Sequence, residues 1–217
     1  DRPGAGTGNR TRLLAVGKAA LSMARGALHV LGDAVDEGLV LVPRDPGSAR
    51  PGWLPPQIRL RTGAHPLPDA GTVDSAREAA ELVSGAEEGD RLLVLLSGGG
   101  SSLLTLPAPG LTVDDVRETS ALLMAAGWSI EELNTVRPAL EVLKAGGLAR
   151  MARPARILGL LLSDAVGDDP AVIASGPLGP GEAGVRDAEI LLRRRGRWDA
   201  LPPAVQAHLK SRRETSP

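Results

Sequence analysis

The sequence predicts an α/β protein with a Rossmann-like, mostly parallel sheet and helices on both faces. Short apolar runs alternate with segments of helical periodicity, an order that favours parallel strands joined by right-handed crossovers. The run from Leu92 to Leu96 contains only Leu and Val, which is typical of a strand buried on both faces. It ends abruptly in Ser97–Ser102, Ser-Gly-Gly-Gly-Ser-Ser, and ligands bind such sheets beyond the carboxyl ends of their strands.

Composition limits both the core and the function classes. The 217 residues suffice for one large α/β domain or two small ones. Phe and Tyr are absent, so the core must consist of Leu, Val, Ala and Ile. A net charge of −1 and three aromatic residues, all Trp, argue against a nucleic-acid partner. The absence of Cys excludes disulfides and cysteine metal sites.

No apolar run reaches the length of a membrane span, and the N-terminus lacks a signal-peptide pattern. We therefore expect a cytoplasmic protein with no membrane partner, and a homodimer is left open.

The first predicted unit is a strand, a tight turn and a helix. Residues 1–12 are expected to be frayed, because they are rich in Gly, Arg and polar groups. Leu13 to Val16 is the strand, and helical periodicity runs to about Leu31. Lys18 lies at the helix start, where a cation opposes the helix dipole. Its position therefore points to a bound anion, with a solvated lysine as the alternative.

A stiff connection follows two further strands, predicted at Leu39 to Val42 and Ile58 to Arg61. The sequence His-Pro-Leu-Pro-Asp at 65–69 contains two prolines, which exclude a regular helix or a central strand. His65 is thus held on a rigid loop, a suitable place for a ligand contact. A structural histidine is the alternative. A helix is predicted over 72–86.

The segment Ser97–Ser102, which we call the glycine loop, predicts an anion site. Its three glycines allow backbone conformations closed to other residues, so that several N–H groups can turn toward one anion. A helix beginning at Ser101 or Ser102 would add about half a positive charge there. The candidate residues are Ser97, Gly98, Gly99, Gly100, Ser101 and Ser102. A glycine-rich turn without a ligand is the alternative.

Two capping-box patterns predict the next helices. Thr112 with Asp115 begins a helix that ends near Gly127, and Ser129 with Glu132 begins another.

Three polar residues, Asn134, Arg137 and Lys144, would share one face of that second helix, because they are three and seven residues apart. Pro138 makes this conditional, since a proline can end one helix and begin another. A solvated polar face is the alternative.

An acidic loop follows Ile157 to Leu162, which reads as a second buried strand. Its carboxylates, Asp164, Asp168 and Asp169, are the ligand type that Mg²⁺ prefers beside phosphate oxygens. Capping of a turn by Asp168 or Asp169 is the alternative.

A small-residue turn, Ile-Ala-Ser-Gly-Pro at 173–177, and two helices, over 184–196 and from Pro202 to Arg213, complete the chain. Lys18, the glycine loop, the acidic loop and His65 would all meet at one edge of the sheet.

Seven motifs in this order resemble the glycerate 2-kinase family, over about Leu13 to Leu209. They are V-G-K-A-A, H-P-L-P-D, S-G-G-G-S-S-L-L, N-T-V-R, L-K-A-G-G-L-A, L-S-D-A-V-G-D-D and I-A-S-G-P. The resemblance implies Mg²⁺- and ATP-dependent phosphorylation of the 2-hydroxyl of D-glycerate. It also implies that 13–210 is the Rossmann-like N-terminal domain and 211–217 a linker to a second domain not present in this chain.

The resemblance assigns roles to the candidate residues. Lys18, Arg137 and Lys144 would be catalytic. The glycine loop, with Asn134 and His65, would bind phosphate or substrate. The acidic loop would lie near the bound metal ion and the phosphates.

Departures from the family pattern keep alternatives open. The family usually reads N-T-V-R-K-H-L-S, and here Pro138, Ala139 and Glu141 replace the Lys, His and Ser. These changes favour a non-catalytic member that binds a small anion or serves as an assembly domain. Some family members are labelled hydroxypyruvate reductase, but the turn after the first strand lacks the G-x-G-x-x-G spacing of dinucleotide binding.

Overall fold

The predicted apolar runs form a sheet in which every neighbouring pair of strands is parallel. The structure is a computed structural model and describes residues 9–45, 49–163, 169–179 and 184–215. The strands are β1 (Thr11–Val16), β2 (Glu37–Pro43), β3 (Ile58–Gly63), β4 (Arg91–Ser97) and β5 (Arg156–Leu162). They lie in the order β3-β2-β1-β4-β5, which confirms the predicted α/β fold.

Helices cover both faces of this sheet, as predicted. They are α1 (Ala20–Leu31), α2 (Ala70–Ser84), α3 (Gly100–Leu103), α4 (Val113–Ala125), α5 (Ile130–Leu140), α6 (Gly147–Met151), α7 (Val185–Arg194) and α8 (Pro203–Thr215). The buried side of α1 packs on alternate residues of β1, such as Leu13 and Ala15. The intervening residues, Leu14 and Val16, face α2 on the other side. No helix in the described parts of the chain is long and apolar enough to cross a membrane.

A second core lies among α4, α5, α7 and α8. Leu123, Leu192 and Val205 are fully buried there, and Trp128 and Trp198 fill the space between the helices. The guanidinium of Arg193 lies 4.0 Å from the centre of the Trp198 ring, a distance at which a cation is attracted to the ring face.

Both predicted capping boxes are present, at Thr112–Asp115 and Ser129–Glu132. The helix that Ser129 begins runs unbroken past Pro138 and ends at Leu140. Lys144 therefore lies beyond the helix, and the predicted helical face shared by Asn134, Arg137 and Lys144 is wrong. Pro138 lacks the N–H that would donate to the Asn134 carbonyl, so the last turn of this helix loses one backbone hydrogen bond.

Strand β5 corrects a second prediction. The sequence predicts a strand buried on both faces, yet Leu158, Leu160 and Leu162 are 62%, 49% and 52% exposed. These leucines are exposed because β5 is the last strand of the sheet, whereas α1 packs on β1, β2 and β4. A run of leucines specifies a strand but not the presence of a layer above it.

A third capping box, which was not predicted from the sequence, begins α2. The Thr72 N–H donates to Asp69 Oδ1 at 2.8 Å, and the Asp69 N–H donates to Thr72 Oγ1 at 3.3 Å. Arg44 Nη1 lies 2.8 Å from Asp69 Oδ2. Hydrogen bonds from Arg44 first, and then from Thr72, lower the pKa of Asp69 to about 2. Asp69 is thus an ionised helix cap at neutral pH.

Substituting Asp69→Ala should lower the free energy of unfolding by about 1–2 kcal/mol at pH 7, the usual effect of removing a helix cap. The carboxyl pKa is depressed in the fold, so this stabilisation is present above pH ~4, the ordinary carboxyl pKa, and is lost as the pH falls through about 2. Urea unfolding at pH 7 and pH 3 measures it. Asp74→Ala, in an exposed ion pair on the same helix, is the control and should change stability by less than about 0.5 kcal/mol. Equal losses in the two variants would contradict the capping role.

Candidate functional site

The turns after β1 and β4 are joined into one unit at the carboxyl edge of the sheet. The Ala19 N–H donates to Ser97 Oγ at 3.0 Å, and the Lys18 N–H donates to the Gly98 carbonyl at 2.9 Å. A Cβ on Gly17 would overlap the Ser97 side chain and backbone, so only glycine permits this approach. The backbone of the first turn therefore supports the glycine loop directly.

Lys18 and His65 flank the glycine loop at Gly99. A Cβ built on Gly99 would lie 3.1 Å from His65 Nε2 and 3.3 Å from Lys18 Cγ. Gly99 has a φ of +84°, a conformation that glycine adopts easily. The predicted convergence of Lys18, the glycine loop and His65 at one edge is therefore what the structure shows.

The electrostatics of this edge favour an anion. Partial burial of the ring, and then the neighbouring Lys18 ammonium, lower the pKa of His65. A neutral imidazole thus stands beside an exposed ammonium. A bound anion would relieve the repulsion that disfavours protonated His65.

Asn134 reaches the glycine loop through Ser175. Ser175 Oγ donates to Asn134 Oδ1 at 2.8 Å and lies 3.0 Å from Ser101 Oγ. Asn134 Nδ2 lies 3.5 Å from the Val172 carbonyl. Ser175 is not among the residues predicted from the sequence to form the site. The only signal was its place in the small-residue turn Ile-Ala-Ser-Gly-Pro.

That turn has an uncommon backbone. Ala174, Ser175 and Gly176 have φ values of +53°, +61° and +64°, and a residue with a Cβ in this region is strained by about 1–2 kcal/mol. The Ala145 N–H donates to the Ser175 carbonyl at 3.1 Å, and the Gly146 N–H donates to the Gly176 carbonyl at 2.7 Å. These bonds hold the strained turn in place. Strain of this kind concentrates at functional sites.

Lys144 lies behind the glycine loop rather than on its open side. Its side chain is 1% exposed, forms an ion pair with the equally buried Glu141, and donates to the Ser101 carbonyl at 2.6 Å. Burial lowers the pKa of Lys144 and raises that of Glu141, while their mutual attraction opposes both shifts. Lys144 therefore supports the glycine loop from its buried side, and its predicted catalytic role stays a prediction.

Arg137 points away from the loop. Its Nη2 lies 3.5 Å from Met124 Sδ, on α4. The Glu141 carboxylate attracts its guanidinium electrostatically. Among the described residues, no hydrogen bond or ion pair joins Arg137 to the glycine loop. The expected contact of Arg137 with the reacting groups stays a prediction.

The acidic loop is only partly described. Asp164 and Asp168 lie outside the described residues. Asp169 is exposed, and its Oδ1 accepts a hydrogen bond from the Ala171 N–H at 2.8 Å, in the turn-capping role of the alternative. Within the described ranges, no group of three His, Asp or Glu side chains is placed to hold a metal ion. The Mg²⁺ site stays a prediction.

Comparison with known proteins gives one family. The model of a domain of unknown function, DUF4147, matches residues 4–210. A glycerate kinase of Homo sapiens is 42% identical over 214 residues, which are 94% of this chain and 41% of that protein. A D-glycerate 2-kinase of Thermotoga maritima is 40% identical over 188 residues, 87% of this chain and 44% of that protein.

Solved structures show the same similarity. The crystal structure of a glycerate kinase from Thermotoga maritima superposes with a TM-score of 0.81 at 37% identity, over 93% of this chain and 47% of that one. A Pyrococcus horikoshii protein gives a TM-score of 0.81 at 32% identity, over 96% of this chain and 46% of that one. This chain spans less than half the length of these relatives.

Proposed function

This chain belongs to the glycerate 2-kinase family, and we propose that it binds the reacting phosphate and hydroxy acid in the ATP-dependent phosphorylation of D-glycerate. The observation that carries the proposal is the meeting of Lys18, His65 and the glycine loop at one edge of the sheet. Phosphoryl transfer needs positioning and positive charge around the transferred group, with little covalent chemistry by the protein. This edge offers both.

Each residue has a distinct part in the proposal. The exposed Lys18 ammonium contacts the transferring phosphate, and backbone N–H groups of the glycine loop bind phosphate or the glycerate carboxylate. His65 lines the same space. Asn134 fixes Ser101 through Ser175, and Lys144 fixes the Ser101 carbonyl from behind. Arg137 is assigned no contact with the substrate.

ATP and Mg²⁺ are part of this proposal. When bound, Mg²⁺ would neutralise charge on the phosphate oxygens. The exposed carboxylate of Asp169 is a ligand type that Mg²⁺ accepts, and Asp164 and Asp168 are its predicted companions outside the described residues.

A second function, a non-catalytic anion-binding domain, is favoured by the pairing of Glu141 with Lys144. Glu141 stands where the family pattern has Ser, and its carboxylate neutralises a lysine next to the loop. Arg137 is turned toward Met124, and the exposed Lys18 lies against Gly99 of the loop.

A coupled assay of ADP release with Mg-ATP and D-glycerate, run beside isothermal titration of each ligand, distinguishes these functions. Turnover would support the kinase. Binding without turnover would support the anion-binding domain. The absence of both binding and turnover would overturn both proposed functions. Oxidation of NADH or NADPH with hydroxypyruvate would instead support a reductase.

Substituting Gly99→Val should weaken the binding of D-glycerate or ATP by at least about tenfold, because a β-branched side chain both strains a positive φ and fills the space before His65. Isothermal titration measures the affinity, and thermal unfolding checks the fold. Gly110→Val is the matched control, since Gly110 has a φ of +87° with nothing within 4 Å of its Cβ position. Unchanged affinity in a folded Gly99→Val variant would contradict the anion cradle.

A further inference from the structure

Strand β5 carries a line of exposed leucines on one face of the sheet. Leu158, Leu160 and Leu162 alternate along the strand with Gly159 and Leu161 and are about half exposed. On the opposite face, Ile157 and Leu161 pack against the sheet core. Of the residues that the structure describes, some cover one side of the strand and none covers the other. We call Leu158, Leu160 and Leu162 the leucine face.

The leucine face continues a buried surface. Leu158 is the register partner of Leu93, and Leu160 is the partner of Leu95. Leu93 and Leu95 are 8% and 1% exposed because they lie in the core beneath α1. The apolar surface thus continues from β4 onto β5. Helix α1 covers this surface on β4 but does not extend over β5. Parallel sheets are almost always covered on both faces.

The other exposed apolar residues that the structure describes are scattered over the surface and do not form a continuous patch like the leucine face. None of these residues lies on a strand in the described part of the chain, and only the adjacent Val30 and Leu31 share an element. They are Val30, Leu31, Trp53, Met124, Ile130 and Ile190. Scattered residues of this type are normal, whereas a contiguous apolar patch marks an interaction site.

Charge at one end of the leucine face restricts what can cover it. Arg91 and Arg156 are register partners at the amino ends of β4 and β5, and both are exposed. They lie on the same face as the leucines, since residues two apart on a strand share a face. Neither is part of an ion pair among the described side chains. A complementary partner therefore needs carboxylates at this end and an apolar stripe beyond it.

We propose that the leucine face is the docking surface for an amphipathic α-helix, with an acidic end over Arg91 and Arg156, from the polypeptide that longer family members carry beyond the region this chain matches. More than half of the Thermotoga maritima structure lies outside the matched part, so the relatives have ample chain for such a helix. A helix is the element that covers sheet faces in α/β folds. The proposal does not rest on kinase activity.

Single thiols provide the test, because the chain contains no Cys. Leu160→Cys reports on the leucine face, and Ile190→Cys is the matched control, since Ile190 is 54% exposed on α7. Maleimide labelling rates are compared between the 217-residue chain and a fusion in which it is followed by the unmatched remainder of the Thermotoga maritima relative. A second fusion, with the remainder of the human relative, repeats the comparison.

We expect the thiol of the Leu160→Cys variant to react at least about tenfold more slowly in the fusions, as a covered site does when it must open to react. The thiol of the Ile190→Cys variant should react at an unchanged rate. Adding Arg156→Glu to the Leu160→Cys fusion should restore part of the labelling rate, and adding Arg186→Glu, on α7, should not.

Two results would overturn the proposal. The first is an equal labelling rate of the Leu160→Cys variant in the chain and in both fusions. The second is slower labelling of the chain alone at higher concentration, with a dimer in sedimentation, which would assign the leucine face to a second copy of this chain.

Discussion

Replacing Lys144 with Met should lower the free energy of unfolding by about 3–5 kcal/mol, because it leaves the Glu141 carboxylate buried without its partner. Both side chains are 1% exposed, so water cannot replace the lost ion pair. The substitution also removes the donor to the Ser101 carbonyl. Urea unfolding followed by circular dichroism measures the effect. Arg77→Met, in an exposed pair on α2, is the control and should change stability by less than about 0.5 kcal/mol.

The pH dependence of this variant follows from Glu141. Burial raises the pKa of the Glu141 carboxyl, and without Lys144 the largest opposing influence on that shift is gone. A carboxyl whose pKa is raised in the fold binds its proton more tightly there, so the variant should regain stability as the pH falls from 7 toward the ordinary carboxyl range.

The double variant Glu141→Leu/Lys144→Met separates the buried charge from the lost packing. It should recover most of the stability, because replacing both partners of a buried pair by apolar groups is often neutral or stabilising. A double variant as unstable as Lys144→Met would show that the charge is not the cause.

Local signals predict most of the fold. The capping pairs Thr112–Asp115 and Ser129–Glu132 act within one helical turn, and the alternation of strands and helices restricts the connections. The edge shared by Lys18 and the glycine loop is also predictable, because the carboxyl ends of parallel strands lie together.

The remaining parts of the site depend on contacts between distant segments. Ser175 meets Ser101 and Asn134 across 74 and 41 residues, and no spacing rule relates them. Helical spacing places Lys144 on a helix that in fact ends before it, so its burial behind Ser101 could not be foreseen. Likewise, an apolar run cannot reveal that the described residues leave one face of β5 uncovered.

The proposed kinase function predicts that Lys18→Met reduces kcat/KM for phosphoryl transfer by at least about 10³-fold. In that proposal the ammonium, an exposed cation beside the glycine loop, acts on charge that develops in the transition state. Ligand affinity should fall only about tenfold, since the backbone N–H groups remain. Stability should not change, because the Lys18 side chain is exposed. The ADP-release assay and isothermal titration measure the two effects separately.

The split between rate and affinity decides between the two proposed functions. A kinase loses turnover far more than binding when a transition-state contact is removed, whereas an anion-binding domain has only an affinity to lose. Lys210→Met is the control, because Lys210 lies on α8 near the Trp198 ring and away from the glycine loop. If Lys18→Met and Lys210→Met both retain full turnover and affinity, Lys18 does not belong to the site, and the positive charge that a phosphate needs must come from elsewhere.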